Sequence, residues 1–234
     1  DGSLGWGQLS TYNADITQQI LHRQVAPWVL GREVSTPAML DDLLDLVTEK
    51  EHKFPGSYLR RAMAGVDTAI WDLYGRQQDK PVAALLGGSA GQVRAYASSM
   101  KRDITPQDEA KRMCVLRDKY GFDAFKVRAG AEVGRNQDEW PGRTEEIITT
   151  MRRAMGDKAA LLIDANSCYT PERAIEVGLL LPDHGFCHFE EPCPYWEFEQ
   201  TKQVTDFLDI DVTGGEQDCD LPTWRRMIDM RAVD

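Results

Sequence analysis

Two rhythms of apolar and polar positions divide the chain. Up to about residue 91 the apolar residues recur at helical spacing. Leu59, Met63, Val66, Ile70, Trp71 and Tyr74 form one broad stripe, which predicts a long helix over 57–77. Met39, Leu43, Leu46 and Val47 predict a second, opened by Thr36 as N-cap with Pro37 at the first helical position. The apolar content of 16–30 predicts a third, ended by Gly31, and Asp1-Gly2-Ser3-Leu4-Gly5-Trp6-Gly7 reads as a hairpin already under way. Asp67 and Asp72 on the long helix read as solvated or capping acids. Pro81 to Gly88 closes the region, and Gly87, Gly88, Ser89 and Gly91 mark a linker.

From Gln92 short apolar runs alternate with helical patterns. Strands are expected at 93–98, 124–128, 160–164, 186–190 and 211–215, and helices at 106–119, 144–155, 171–181, 196–208 and 222–230. Ala232-Val233-Asp234 reads as the opening of a sixth strand. This alternation predicts an α/β domain with a parallel sheet and outer helices. The domains expected are therefore 1–91 and 92–234. A closed (β/α)₈ barrel takes about 250 residues, and 92–234 holds 143. The expectation is a (β/α)-barrel left incomplete at its C-terminal end, with an open five-stranded sheet as the alternative.

Composition narrows the partners. The net charge of −11 and the pI near 4.9 argue against nucleic acid and anionic membranes, which select basic surfaces. No apolar run approaches the ~18 residues of a membrane span. Five cysteines without a CxxC pair suit reduced thiols and a cytoplasmic location. Cys187, His188 and Cys193 are a weak zinc alternative, since no second CxxC-type pair accompanies them.

The candidate chemistry lies between Leu161 and Asp218. Three strand-like runs there end in acids: Leu-Leu-Ile-Asp-Ala-Asn, Phe-Cys-His-Phe-Glu-Glu-Pro and Val-Thr-Gly-Gly-Glu-Gln-Asp. Asp164, Glu190 and Glu216 stand 26 residues apart, about one strand, helix and two loops, which places them at equivalent strand ends. Three adjacent carboxylates repel unless a cation neutralises them, and an all-oxygen set suits Mg²⁺ better than zinc. Strand alternation puts Lys126 and Arg128 on one face and Leu162 with Asp164 on one face. A Lys-x-Arg pair beside a metal site supplies a charge clamp for an anion, and a lysine there is a candidate base. His188 reads as a core or supporting residue, and Glu191, next along from Glu190, is expected to point away.

Asp-x-Asn at 164–166, Phe-Glu-Glu-Pro at 189–192, Gly-Gly-Glu at 214–216 and Lys-Val-Arg at 126–128 together resemble the enolase superfamily, mandelate racemase/muconate-lactonizing branch. The run Ala64 to Leu73 with Pro81, Leu85, Leu86, Gly87 and Gly88 is similar to that branch's N-terminal capping domain. The resemblance implies a modified TIM barrel of enolase type behind an α+β capping domain. It implies that Asp164, Glu190 and Glu216 bind Mg²⁺, and that the α-proton of a carboxylate substrate is removed through an enediolate. Lys126 and Arg128 would be catalytic, and Asn166 would contact substrate. Arg128 stands where many relatives carry a lysine base; an arginine is a poor base, so a sugar-acid dehydratase whose base comes from a later strand is favoured. A racemase, epimerase or cycloisomerase is the alternative, and a non-catalytic scaffold or inactive fragment the rival of another class. A homo-oligomer is expected, and the segment 8–13 matches a loop that in the family covers the site. Lys126→Ala and Arg128→Ala are each expected to lower turnover more than stability.

Overall fold

The helical stripe of 57–77 forms a helix because its apolar face can be buried from several sides at once. In a computed structural model describing residues 2–234, two compact units appear, one up to Gln92 and one from Val93 onward. In the first unit the helices are α1 (Ala14–Ile20), α2 (Ala26–Val29), α3 (Pro37–Lys50), α4 (Ser57–Gln78) and α5 (Val82–Leu85). A π-helical turn, Leu21–Val25, joins α1 to α2. Val25, Val47, Leu59, Ala62 and Met63 form the unit's core, with Ile20, Leu21 and Trp28 packed against it. Thr36 caps α3 as predicted, its side chain accepting from the Met39 amide.

The glycine-rich opening departs from the hairpin reading. Asp1 lies outside the described residues, and residues 2–10 make no strand pairing. They run instead against α4. A Cβ at Gly5 would strike the Ala69 carbonyl, and one at Gly7 the Gly65 carbonyl. Asp72 of α4 accepts a hydrogen bond from the Trp6 amide (2.9 Å). Glycine serves close backbone approach here, a role that composition cannot separate from a turn.

The second unit is a parallel sheet in the order β1-β2-β3-β4-β5, with each neighbouring pair parallel. Its strands are β1 (Ala97–Ser98), β2 (Ala124–Arg128), β3 (Ala160–Asp164), β4 (Phe186–Glu190) and β5 (Asp211–Thr213). Between and after them run α6 (Pro106–Tyr120), α7 (Arg143–Met155), α8 (Pro171–Leu180), α9 (Phe198–Phe207) and α10 (Leu221–Met230). Phe125, Val127, Leu161, Ile163, Phe189 and Val212 point to one side and pack with Met113, Ile147, Met151 and Val177 of the helices. That leaves the alternate positions of each strand facing the other side. Asp234 lies beside β5, its amide donating to the Val212 carbonyl (2.9 Å). Among the described residues no helix is long and apolar enough to cross a membrane.

Candidate metal centre

Pairing register brings the predicted residues into rows. Arg128 lies opposite Asp164, and Asp164 opposite Glu190, at the carboxyl ends of β2, β3 and β4. One step earlier Lys126 lies opposite Leu162, which pairs with His188. The row is kept despite an extra residue in β4: Leu161 pairs with Phe186 but Leu162 with His188, so Cys187 is a bulge.

Glu216 is not at an equivalent place. Opposite Glu190 stands Thr213, and Glu216 comes three residues later, beyond Gly214 and Gly215. Equal spacing in sequence is therefore not equal register, because the bulge in β4 and the early end of β5 shift the count. Gly215 makes the return possible: its φ of 101° is a conformation other residues avoid, and a Cβ there would meet the Trp224 ring. The turn brings Glu216 back, so that one carboxylate oxygen from each of Asp164, Glu190 and Glu216 lies within 4.8 Å of the others.

The two cations sit among these acids. Arg128 Nη1 donates to Asp164 Oδ2 and, at 2.7 Å, to Asn166 Oδ1; its Nε donates to the Ser99 carbonyl (2.9 Å). Lys126 Nζ donates to Glu190 Oε2 and lies 3.4 Å from Asp164 Oδ2. It also sits over the Tyr96 ring, 5.4 Å from its centroid. Asp164 is fully buried, and Lys126 and Arg128 are only 4% and 5% exposed. Burial first, and the neighbouring Arg102 charge second, disfavour the guanidinium of Arg128, while Glu190, Glu216 and Glu191 favour it. Burial would raise the Glu190 carboxyl, but hydrogen bonds from His188 and Lys126 outweigh this and hold it below its ordinary range. His188 Nε2 shares a hydrogen bond with Thr213 Oγ1 (2.8 Å), 3.7 Å from Glu190 Oε2.

Asn166 stands past the end of β3 at a φ of 41°, with its amide donating to Asp164 Oδ1 (2.9 Å) and Nδ2 to Glu216 Oε1 (3.5 Å). β4 ends at Glu190, Glu191 takes a φ of 41°, and its side chain is buried with Oε1 lacking a partner among the described residues. Burial, then the charge of Glu216, push its carboxyl up to about 7. Three arginine contacts carried no motif in the sequence: Arg102 on Asn166, Arg102 on the Gly130 carbonyl, and Arg143 on the Arg128 carbonyl (2.9 Å). Arg143 is fully buried over the Trp140 ring, and its Nε and Nη2 have no hydrogen-bond partner among the described residues.

The donor set fits a hard divalent ion. Three carboxylates converge with no nitrogen or sulfur among them, the chemistry that Mg²⁺ takes and zinc does not favour. Cys187, His188 and Cys193 are not gathered into a metal group among the described residues, and burial pushes the Cys193 thiol up to about 12, away from the thiolate a zinc ion needs.

Residues 107–234 match the family model for the enolase C-terminal domain-like fold, and residues 1–87 match that for the mandelate racemase/muconate lactonizing enzyme N-terminal domain. The chain belongs to the mandelate racemase/muconate lactonizing enzyme branch of the enolase superfamily. Its parallel sheet and helices are the barrel domain of that superfamily, and its first unit the cap. The chain is 74% identical to a Roseobacter denitrificans protein provisionally assigned as a racemase, whose crystal structure superposes with a TM-score of 0.95 over all of this chain and 66% of that one. A mandelate racemase/muconate lactonizing protein of Paracoccus denitrificans PD1222, crystallised with magnesium, is 28% identical, with a TM-score of 0.88 over 97% of this chain and 61% of that one. Arabinonate dehydratase of Saccharolobus solfataricus is 29% identical over 244 residues, covering 100% of this chain and 61% of the relative. The chain thus spans between three fifths and two thirds of the length of these relatives.

Glu216→Gln is expected to weaken Mg²⁺ binding by about tenfold, a modest loss within the 10–100-fold range seen for perturbed metal shells, because Glu216 is the exposed member of the set. Calorimetric titration reads it, and an unchanged Kd would remove Glu216 from the ligands.

Proposed function

We propose that the full protein abstracts the α-proton of a sugar acid through an enediolate and then expels the β-hydroxyl, a hydro-lyase reaction dependent on Mg²⁺. The observation that carries this reading is the joint placement of three carboxylates and the Lys126–Arg128 pair at the carboxyl ends of adjacent parallel strands, where α/β enzymes keep their chemistry. Asp164, Glu190 and Glu216 would hold the ion, which supplies positive charge against the substrate carboxylate. Lys126 and Arg128 present fixed N–H donors to the carboxylate oxygens on which negative charge builds as the proton leaves. Both are buried and pre-oriented by neighbours, so little reorganisation accompanies the reaction. Asn166 offers its Nδ2 to a substrate oxygen. Arg128 stays charged and is not the proton acceptor, so in this reading the acceptor comes from outside β1–β5. The β-hydroxyl departs as water, taking a proton from an acid outside β1–β5, and leaves an enol that tautomerises to a 2-keto-3-deoxy acid.

A racemase is the second reading, favoured by the racemase assignment of the Roseobacter denitrificans relative at 74% identity. The full-length protein, incubated with Mg²⁺ and a panel of sugar acids that includes arabinonate in D₂O, separates the two. Dehydration gives the keto acid; racemisation or epimerisation gives deuterium at the α-carbon with inverted configuration and no keto product. The absence of α-exchange with every acid would overturn both.

A further inference from the structure

We propose that Arg102 is a positioning residue that locks the Asn166 amide so that only its N–H donors face the substrate. The inference rests on the reading above, in which substrate binds over Asn166. Two guanidinium groups converge on one oxygen: Arg102 Nη2 donates to Asn166 Oδ1 at 2.6 Å and Arg128 Nη1 donates to the same atom at 2.7 Å. A carbonyl oxygen has two lone pairs, and both are taken. Turning the amide over would set its NH₂ against two cationic donors that accept nothing, so one orientation alone survives. In that orientation Nδ2 faces Glu216 (3.5 Å) and interacts with the Glu191 carboxyl, so a substrate oxygen placed over the amide meets its N–H side and not its oxygen. The backbone is held as firmly: the Asn166 amide donates to Asp164 Oδ1, and its carbonyl accepts from Val133 (3.1 Å).

Arg102 is placed for this task and not for metal binding. It follows β1 in a turn where Ser99 Oγ accepts from the Lys101 amide (3.1 Å), and its Nε is anchored on the Gly130 carbonyl (3.1 Å). Among the described residues its hydrogen bonds reach Gly130 and Asn166, not Asp164, Glu190 or Glu216. The fork of one guanidinium thus spans from the segment after β2 to the segment after β3. A lysine cannot make both contacts at once. Losing Arg102 leaves the three carboxylates, Lys126 and Arg128 in place, yet frees one lone pair of Oδ1 and loosens the amide.

The test is a cycle in the full-length protein: Arg102→Met, Arg102→Lys, Asn166→Ala and the double variant Arg102→Met/Asn166→Ala. Two readouts run in parallel. The first needs no substrate: in Mg²⁺-loaded protein, NMR contacts of the Asn166 side-chain NH₂ are expected to lie with Glu216 in the wild type and to be lost or averaged in Arg102→Met. The second is α-proton exchange with the sugar acid turned over by the wild type. Arg102→Met is expected to lower kcat by about 10–100-fold, the scale of a misplaced contact near the chemistry, with Arg102→Lys in between. The double variant should be no slower than Asn166→Ala to within about twofold, since residues acting through one another are not additive. Mg²⁺ affinity should be unchanged. Amide contacts that stay the same in Arg102→Met, or losses that multiply in the double variant, would overturn the positioning role. Should no acid exchange in the wild type, the proposed reaction falls, and the NMR readout alone still decides the role of Arg102.

Discussion

Arg128→Met is expected to destabilise the protein by about 3–5 kcal/mol in the presence of a chelator, the scale of removing one partner from a buried ion pair. Asp164 is fully buried, and Arg128 is its close cationic partner, with Lys126 further off at 3.4 Å. The same guanidinium also satisfies the Ser99 carbonyl and Asn166 Oδ1, so several acceptors lose their donor together. Methionine refills the volume without the charge, which isolates the electrostatic part. Excess Mg²⁺ should recover much of the loss, because a divalent ion neutralises the stranded carboxylate. Urea unfolding with chelator and with Mg²⁺ measures both numbers. A loss below about 1 kcal/mol in chelator, the scale of an exposed pair, or an equal loss in both conditions, would contradict this account. Geometry thus revises the expectation for Arg128 drawn from sequence: turnover and stability should fall together. For Lys126 the expectation stands as a proposal, since Asp164 keeps Arg128 when Lys126 is removed.

Asp164→Asn should be the most damaging change to ion binding. Substituting a supporting residue around a metal typically costs 10–100-fold in affinity, so neutralising the buried central acid of the proposed set should raise the Kd for Mg²⁺ by at least about 100-fold. Asp164 is central in a literal sense. It takes a hydrogen bond from Arg128, lies near Lys126, receives the Asn166 amide and pairs in register with both Arg128 and Glu190. Asparagine keeps the shape and removes one acceptor and the charge. Calorimetry of the variant against wild type decides it, and a Kd within about threefold would mean that the ion, if bound, is held elsewhere.

The sheet was legible wherever pattern and pairing coincide. β2, β3 and β4 begin and end where the apolar runs predicted, and the helices between them differ by a residue or two. β1 is shorter than its run because β2 starts at Ala124: with Ala97 opposite Phe125, little of the partner strand lies beside Val93 to Ala95. β5 is shorter because Gly214 and Gly215 leave the ladder, and glycine in a run does not announce whether it extends or breaks a strand. In the site, Asp164, Glu190, Glu216, Lys126, Arg128 and Asn166 are brought together as motif residues. Arg102, Arg143 and the left-handed backbone of Glu191 were not legible. Alternation stops where a strand stops, and contacts between loops after different strands have no period to detect.

One consequence follows from the unequal footing of the three acids. Asp164 and Glu190 are fixed by neighbouring strands, whose separation of about 4.8 Å is set by the ladder. Glu216 hangs from a two-glycine turn braced on Trp224. In the proposed metal site, discrimination by ionic radius, between oxygen distances of about 2.0–2.1 Å for Mg²⁺ and about 2.3–2.6 Å for Ca²⁺, would therefore fall to the turn: the sheet offers a fixed jaw, and the glycines would set how far the other jaw can close.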